Sequence, residues 1–407
     1  MRQDAGHIVI QAGQSVVSRD STISARAQAE TGNGGTIVID AGKEFVSKAS
    51  TLSVASVSPA GGDSGQIRVT AGDSVWLRNG TVLDGTNSGP GGDAAHIVLD
   101  AGRHVIVDAS RVITPVEEGG SGRIEMHAGK DVRLVNGTVV NASASARVPG
   151  SQIVLDAGRN ILVDRSQLKV PVGDGGAAHK IEMHAGKDVR LVSGTVLDAS
   201  GGASDGGQIV ITGGNVVVDG SRLTVDSRSG FFGGGGTVTM VADGAVRLVN
   251  GTLVTASSPL TNSGGQVRVT ARESVQLRNS QIRTSGNASG GRIDVAAKRV
   301  TLTDSHISSA SEFDRGGVIN IDAKHVTLRG SQLTTSVTGG PDTVGGRIVV
   351  DAKNVTLRNS QILSTATEGD GGTITIRSHV LHRDARSVID ASSESGTDGM
   401  VTIESRR

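Results

Sequence analysis

Residues Arg123–Ser143 read RIEMHAGKDVRLVNGTVVNAS, and 57 positions on, from Lys180 to Ser200, the chain reads KIEMHAGKDVRLVSGTVLDAS. A chain that returns to the same residues at a near-constant interval is a stack of like units, each too small to bury its own apolar face. The series runs from end to end: GHIVIQAGQSVV, GTIVIDAGKEFV, GQIRVTAGDSVWL and AHIVLDAGRHVIV early, GRIDVAAKRVTL, GVINIDAKHVTL and GRIVVDAKNVTL late. About fifteen starts are separated by roughly 26 to 30 residues, with a mean near 28. The 407 residues therefore read as one continuous repeat domain, 1–407. The rungs at Ile97, Ile153 and Ile209 resemble one another and alternate with those at Ile124, Ile181 and Val238, so the copied unit is a pair of rungs.

Within a unit the first segment alternates strictly. Ile37, Ile39 and Ala41 face one way and Val38 and Asp40 the other, which is the period of a strand. A second short strand follows the Ala-Gly corner, with Val75 and Leu77 inward and Trp76 and Arg78 outward. A third enters through a tight corner, in Ser50-Thr51-Leu52, Gly80-Thr81-Val82, Ser280-Gln281-Ile282 and Ser360-Gln361-Ile362. Polar Gly-rich loops such as PAGGDSG, GFFGGGG and EGDGG close each unit.

Three short strands and three corners per repeat predict an all-β fold, a single-stranded parallel β-helix of about 14 rungs, in which each Val/Ile/Leu row packs on its copy above. Right-handed coiling is the expectation from known examples. Segments of five or six β-branched residues flanked by Gly make poor helices. An antiparallel sandwich would show hairpin turns, not one sequence returning at every third strand. The composition suits a stack: 59 Gly, 1 Trp, 4 Phe and no Tyr leave the interior to aliphatic side chains.

The 40 basic and 40 acidic residues are mixed along the chain, which by itself draws neither nucleic acid nor an anionic membrane. The absence of Cys removes disulfides and thiolate chemistry. No apolar run approaches the roughly 20 residues of a membrane helix, so no membrane insertion is expected.

Four constellations bear on chemistry. The outward column Asp40, Thr70, Asp100, His127, Asp156, His184, Thr212 aligns histidines with carboxylates. His127 and His184 would lie two rungs, about 9.6 Å, apart, too far for one zinc with ligands near 2.0–2.1 Å, and a hydrogen-bonded surface ladder is expected instead. Asp322 and Asp351 on adjacent rungs would approach the roughly 5 Å spacing of a retaining carboxylate pair, but any residue repeated on neighbouring coils acquires that spacing. Asp-Gly loops at Asp63, Asp93, Asp174, Asp205 and Asp370 are too sparse for a calcium roll and read as turns. Asn79-Gly-Thr, Asn136-Gly-Thr and Asn250-Gly-Thr match a glycosylation acceptor and, more simply, a turn. No catalytic residue, cofactor or metal is expected. A partner surface is expected at an apolar outward stripe of Val46, Trp76 and Ile106, continued by Val17, and at the Phe231-Phe232 loop tip.

The motif G-x-I-x-I-x-A-G-x-x-V-x-L, followed by Ser/Gly-x-Leu and a Gly/Ser-rich loop, resembles the repeat region of filamentous haemagglutinin-like exoproteins, the large adhesins of Gram-negative two-partner secretion. The resemblance covers nearly the whole chain and implies export through an outer-membrane transporter, a secreted or cell-surface location, a β-helical stalk, and attachment to a glycan or protein receptor on a host cell or other surface. Asn-Pro, expected of the secretion domain in that family, does not occur, and the chain starts in mid-rung without a leader, so a fragment of a longer exoprotein is expected. The competing expectation is a polysaccharide-acting β-helix enzyme, a lyase or hydrolase. That reading calls for carboxylates and basic residues beside aromatics in a cleft.

Overall fold

The computed structural model describes residues 3–118, 120–144, 150–171, 179–202, 205–227, 233–258 and 263–405. The chain divides into two compact units, Met1–Gly202 and Ala203–Arg407. In each, seven coils of three strands follow one another, and the second unit adds a further first strand, Met400–Ser405. Among the described residues the strands pair in parallel, residue on equivalent residue, as a parallel β-helix requires. The step between paired residues runs from 25 residues, Val275 to Val300, to 31, Leu52 to Leu83. No helix occurs among the described residues.

The interior is a set of aliphatic columns. Ile37, Ile67, Ile97, Ile124, Ile153 and Ile181 form one in the first unit, and Val238, Val267, Ile293, Ile319, Ile348 and Ile374 its counterpart in the second; all are fully buried. A second column, Phe45, Val75, Val105, Val132, Ile161 and Val189, lines the second strands, and Leu52, Leu83, Val112, Val140, Leu168 and Leu197 the third. Each side chain packs on its own kind one coil away. At about 25 cal/mol per Å² of apolar area this burial supplies the drive to stack, and the parallel backbone ladders satisfy the strands' polar groups.

The corners explain the remaining sequence signals. At the Ala-Gly bend, glycines lie on one another: a Cβ on Gly102 would sit 2.1 Å from the Gly72 carbonyl oxygen and one on Gly158 2.3 Å from that of Gly129. Where the bend reads Ala-Lys, the first and second strands fuse into one of 12 residues, as in Arg292–Thr303, Val318–Arg329 and Arg347–Arg358.

The corner before the third strand comes in two lengths. In the shorter form one left-handed residue, such as Ala49 or Asn359, precedes a buried Ser; in the longer, Asn-Gly or Ser-Gly supplies two, at Asn79-Gly80, Asn136-Gly137, Ser193-Gly194 and Asn250-Gly251, and a buried Thr follows. The extra residue shifts the alignment read from sequence. Val82 pairs with Thr51 and faces outward, while Leu83 takes the inward place of Leu52, so the equivalent of Ser50 is Thr81 and not Gly80. The hydroxyls reflect this difference. Ser50 and Ser110 donate to the carbonyl two residues back, at 2.9 and 2.8 Å, whereas Thr138 and Thr195 reach three residues back, at 2.8 Å.

Candidate interaction surfaces

The outward His/Asp column forms as its spacing predicts, with Asp100 beside His127, His127 beside Asp156, and Asp156 beside His184 on successive coils. Its polar contacts run mainly along strands instead of down the column. Glu125 lies 3.1 Å from His127 Nε2 and 3.3 Å from His96 Nε2, and it also accepts from Arg123, whereas His127 Nδ1 is 4.0 Å from Asp156. Burial would raise the Glu125 pKa, but the hydrogen bonds from His127 and Arg123 outweigh it and hold the carboxyl below its usual range. Asp131 on the neighbouring strand behaves alike: burial opposes ionisation, while Asn160, Arg133 and His104 favour it and prevail. No group of three His, Cys, Asp or Glu side chains among the described residues is placed to hold a metal ion.

The carboxylate pair is adjacent as expected, Asp322 on Asp351, and the column continues through Arg377 to Glu404, which are ion-paired at 2.9 Å. The Asp-Gly loops show turn chemistry. Asp63 accepts the Asp93 amide and Asp93 that of Ser121, both at 2.9 Å, and Asp205 and Asp370 accept the amides of Gly234 and Thr397 one coil on. Asp174 lies outside the described residues. Asn79, Asn136 and Asn250 occupy the first left-handed place of the long corners, which is what Asn-Gly is suited to.

The apolar stripe is also assembled, Val17 on Val46, Val46 on Trp76 and Trp76 on Ile106. It is narrower than the sequence suggests. Ile106 is buried, and the Arg78 guanidinium carbon sits 3.8 Å above the Trp76 ring centre, covering one face by a cation–π contact. Val17 stays exposed. Phe231 and Phe232 lie outside the described residues. A different aromatic, Phe313, is 60% exposed on a loop of the second unit.

A feature missed in the linear reading lies on the second-strand face of the C-terminal unit. Stacking aligns Arg247 with Gln276 and Thr301, Ser274 with Arg299, His325 and Asn354, and Arg278 with Thr303, Arg329 and Arg358. Thr301, Thr327 and Thr356 run down the middle. Over these five coils the outward positions carry five exposed arginines and no carboxylate. Lys298, Lys324 and Lys353 border the face at the bend, Lys298 paired with Glu273 at 2.8 Å. The same face of the N-terminal unit is mixed, with Glu44, Asp108, Asp131, Asp164 and Asp188 among its outward residues.

Comparison with known proteins returned no matching family model, no curated protein and no solved structure.

Proposed function

We propose that the chain is a non-enzymatic structural and adhesive stalk of a secreted or surface-displayed bacterial exoprotein, handled by an outer-membrane transporter as the filamentous haemagglutinin-like resemblance implies. The observation that carries this reading is where the repeated residues go. Inward positions build aliphatic columns, and corner residues are spent on holding one coil to the next: glycines stack on glycines, the Ser50 hydroxyl accepts the Ser21 amide, and Thr138 donates to the Val107 carbonyl. Such a scaffold holds its shape without a ligand and presents its outward faces and loops for attachment. The test is adhesion: beads carrying the protein are expected to bind cells or an extracellular matrix, while beads carrying heat-denatured protein are not.

The enzyme reading rests on Asp322 and Asp351, one above the other. Incubation with pectin-like and capsular glycans is expected to release no oligosaccharide. Cleavage that disappears in Asp351→Ala replaces the stalk reading by a polysaccharide-acting one.

A further inference from the structure

We propose that the acid-free arginine face of the C-terminal unit docks on the surface of an anionic lipid bilayer, lying on it without insertion. Arg247, Arg278, Arg299, Arg329 and Arg358 all point out of one sheet face and are exposed. Arg278 donates to the side chain of Asn250 at 3.3 Å, and no ion pair joins any of the five to a carboxylate among the described residues. With coils about 4.8 Å apart and residues rising about 3.3 Å along a strand, the five span roughly 19 Å by 13 Å.

The arrangement is two-dimensional. Arg278, Arg329 and Arg358 follow one margin, Arg299 and His325 the other, and Arg247 lies between. A single linear polyanion meets one margin or the other, whereas a plane of headgroup phosphates meets both together. Over the last three of these coils the middle column is Thr, short enough to let the guanidinium groups on either side reach a common plane. No Trp, Tyr or Phe stands on the face, so the stacking platforms by which single-stranded nucleic acids are held are missing. No large apolar side chain projects from its centre to enter the hydrocarbon. The acids nearby lie around the margins: Asp219 on the same face one coil before Arg247, where the acid-free coils begin, Glu273 and Asp304 at corners, and Asp322 and Asp351 on the first-strand side of the bend.

The experiment is co-sedimentation of the full chain with vesicles of phosphatidylcholine alone or mixed with phosphatidylglycerol. Binding is expected only to the anionic vesicles at about 0.1 M salt and is expected to vanish near 1 M, where the screening length shrinks to about 3 Å. The variant R299Q/R329Q/R358Q is expected to bind about 100-fold more weakly, about fivefold or 1 kcal/mol for each charge. R268Q/R292Q/R347Q removes the same number of charges from the first-strand face and is expected to stay within a few-fold of the parent. No binding at low salt overturns the proposal, as does an equal loss in both variants, which would reflect net charge alone. A soluble polyuronate or single-stranded RNA that outcompetes the vesicles, and loses its grip in R299Q/R329Q/R358Q, would assign the face to a soluble polymer and overturn the bilayer.

Discussion

His179 stands directly before the strand Lys180–Ala185, a place that Gly35, Gly65, Ala95, Gly122 and Ser151 hold on the coils before it. It is 1% exposed; its Nδ1 accepts the Ser151 amide at 2.9 Å, and its Nε2 has no hydrogen-bond partner among the described residues. Accepting at Nδ1 fixes the proton on Nε2, so the folded chain holds a neutral imidazole. Burial pushes its pKa down to about 4. Because the unfolded chain takes up this proton near pH 6.5 and the folded one does not, the stabilising contribution is complete above pH 6.5 and is lost as pH falls toward 4. The loss amounts to about 3 kcal/mol. Denaturant titrations at pH 7.5 and 4.5 are expected to show it in the parent and not in His179→Gln. Hydrogen exchange at the Ser151 amide is expected to accelerate once the imidazole is protonated. Glycines at the same step tolerate no such replacement when they touch backbone. A Cβ on Gly65 would come within 1.6 Å of the Gly35 carbonyl oxygen, so Gly65→Ala is expected to cost several kcal/mol in thermal or chemical unfolding.

At the scale of the strand, the pattern of two specifies nearly everything. Ile37, Ile39, Val75 and Leu77 are buried as their alternation requires, because a strand with one dry face has only one workable register. A residue inserted between Ile153 and Val154 turns the rest of that strand inside out and is expected to abolish soluble expression. One inserted between Pro341 and Asp342, in an exposed turn, is expected to leave the circular dichroism spectrum unchanged. Leu155→Ala, a truncation inside a fully buried column, is expected to cost about 2–5 kcal/mol.

What the strand pattern does not specify is corner length. Ser50-Thr51-Leu52 and Gly80-Thr81-Val82 look alike, but the second left-handed residue moves the inward place to Leu83, and only the backbone angles of Asn79 and Gly80 disclose it. The His127 column was legible from spacing, yet its partner Glu125 was not, since side-chain reach along a strand decides that contact. His179 escaped notice because it stands among glycines, where no pattern marks a histidine.

At the scale of the molecule, charge shows how folding reorders what the chain interleaves. Read in line, Arg247, Arg278, Arg299, Arg329 and Arg358 are scattered over more than a hundred residues with acids in between; read down the coils, they share one face. The signal was present in VRLV, VQLR, RVTL and VTLR, where the arginine takes one or another of the three outward places of the second strand. Stacked coils touch only their neighbours, so within a unit a local injury spreads by contact and fades with distance. Hydrogen exchange in Leu155→Ala is expected to rise most in the coils carrying Met126 and Met183, its neighbours in the column, and least in the coil of Ile39.

Trp76 has a practical consequence of its own. It is the sole Trp in a chain with no Tyr, and it sits in the third coil under Arg78. Tryptophan emission recorded from this protein is therefore a local witness, speaking for that coil and silent about the rest. Should the coils melt in separate steps, an optical midpoint at Trp76 and a far-ultraviolet midpoint averaged over every peptide would part company, and their gap would measure how far cooperativity reaches.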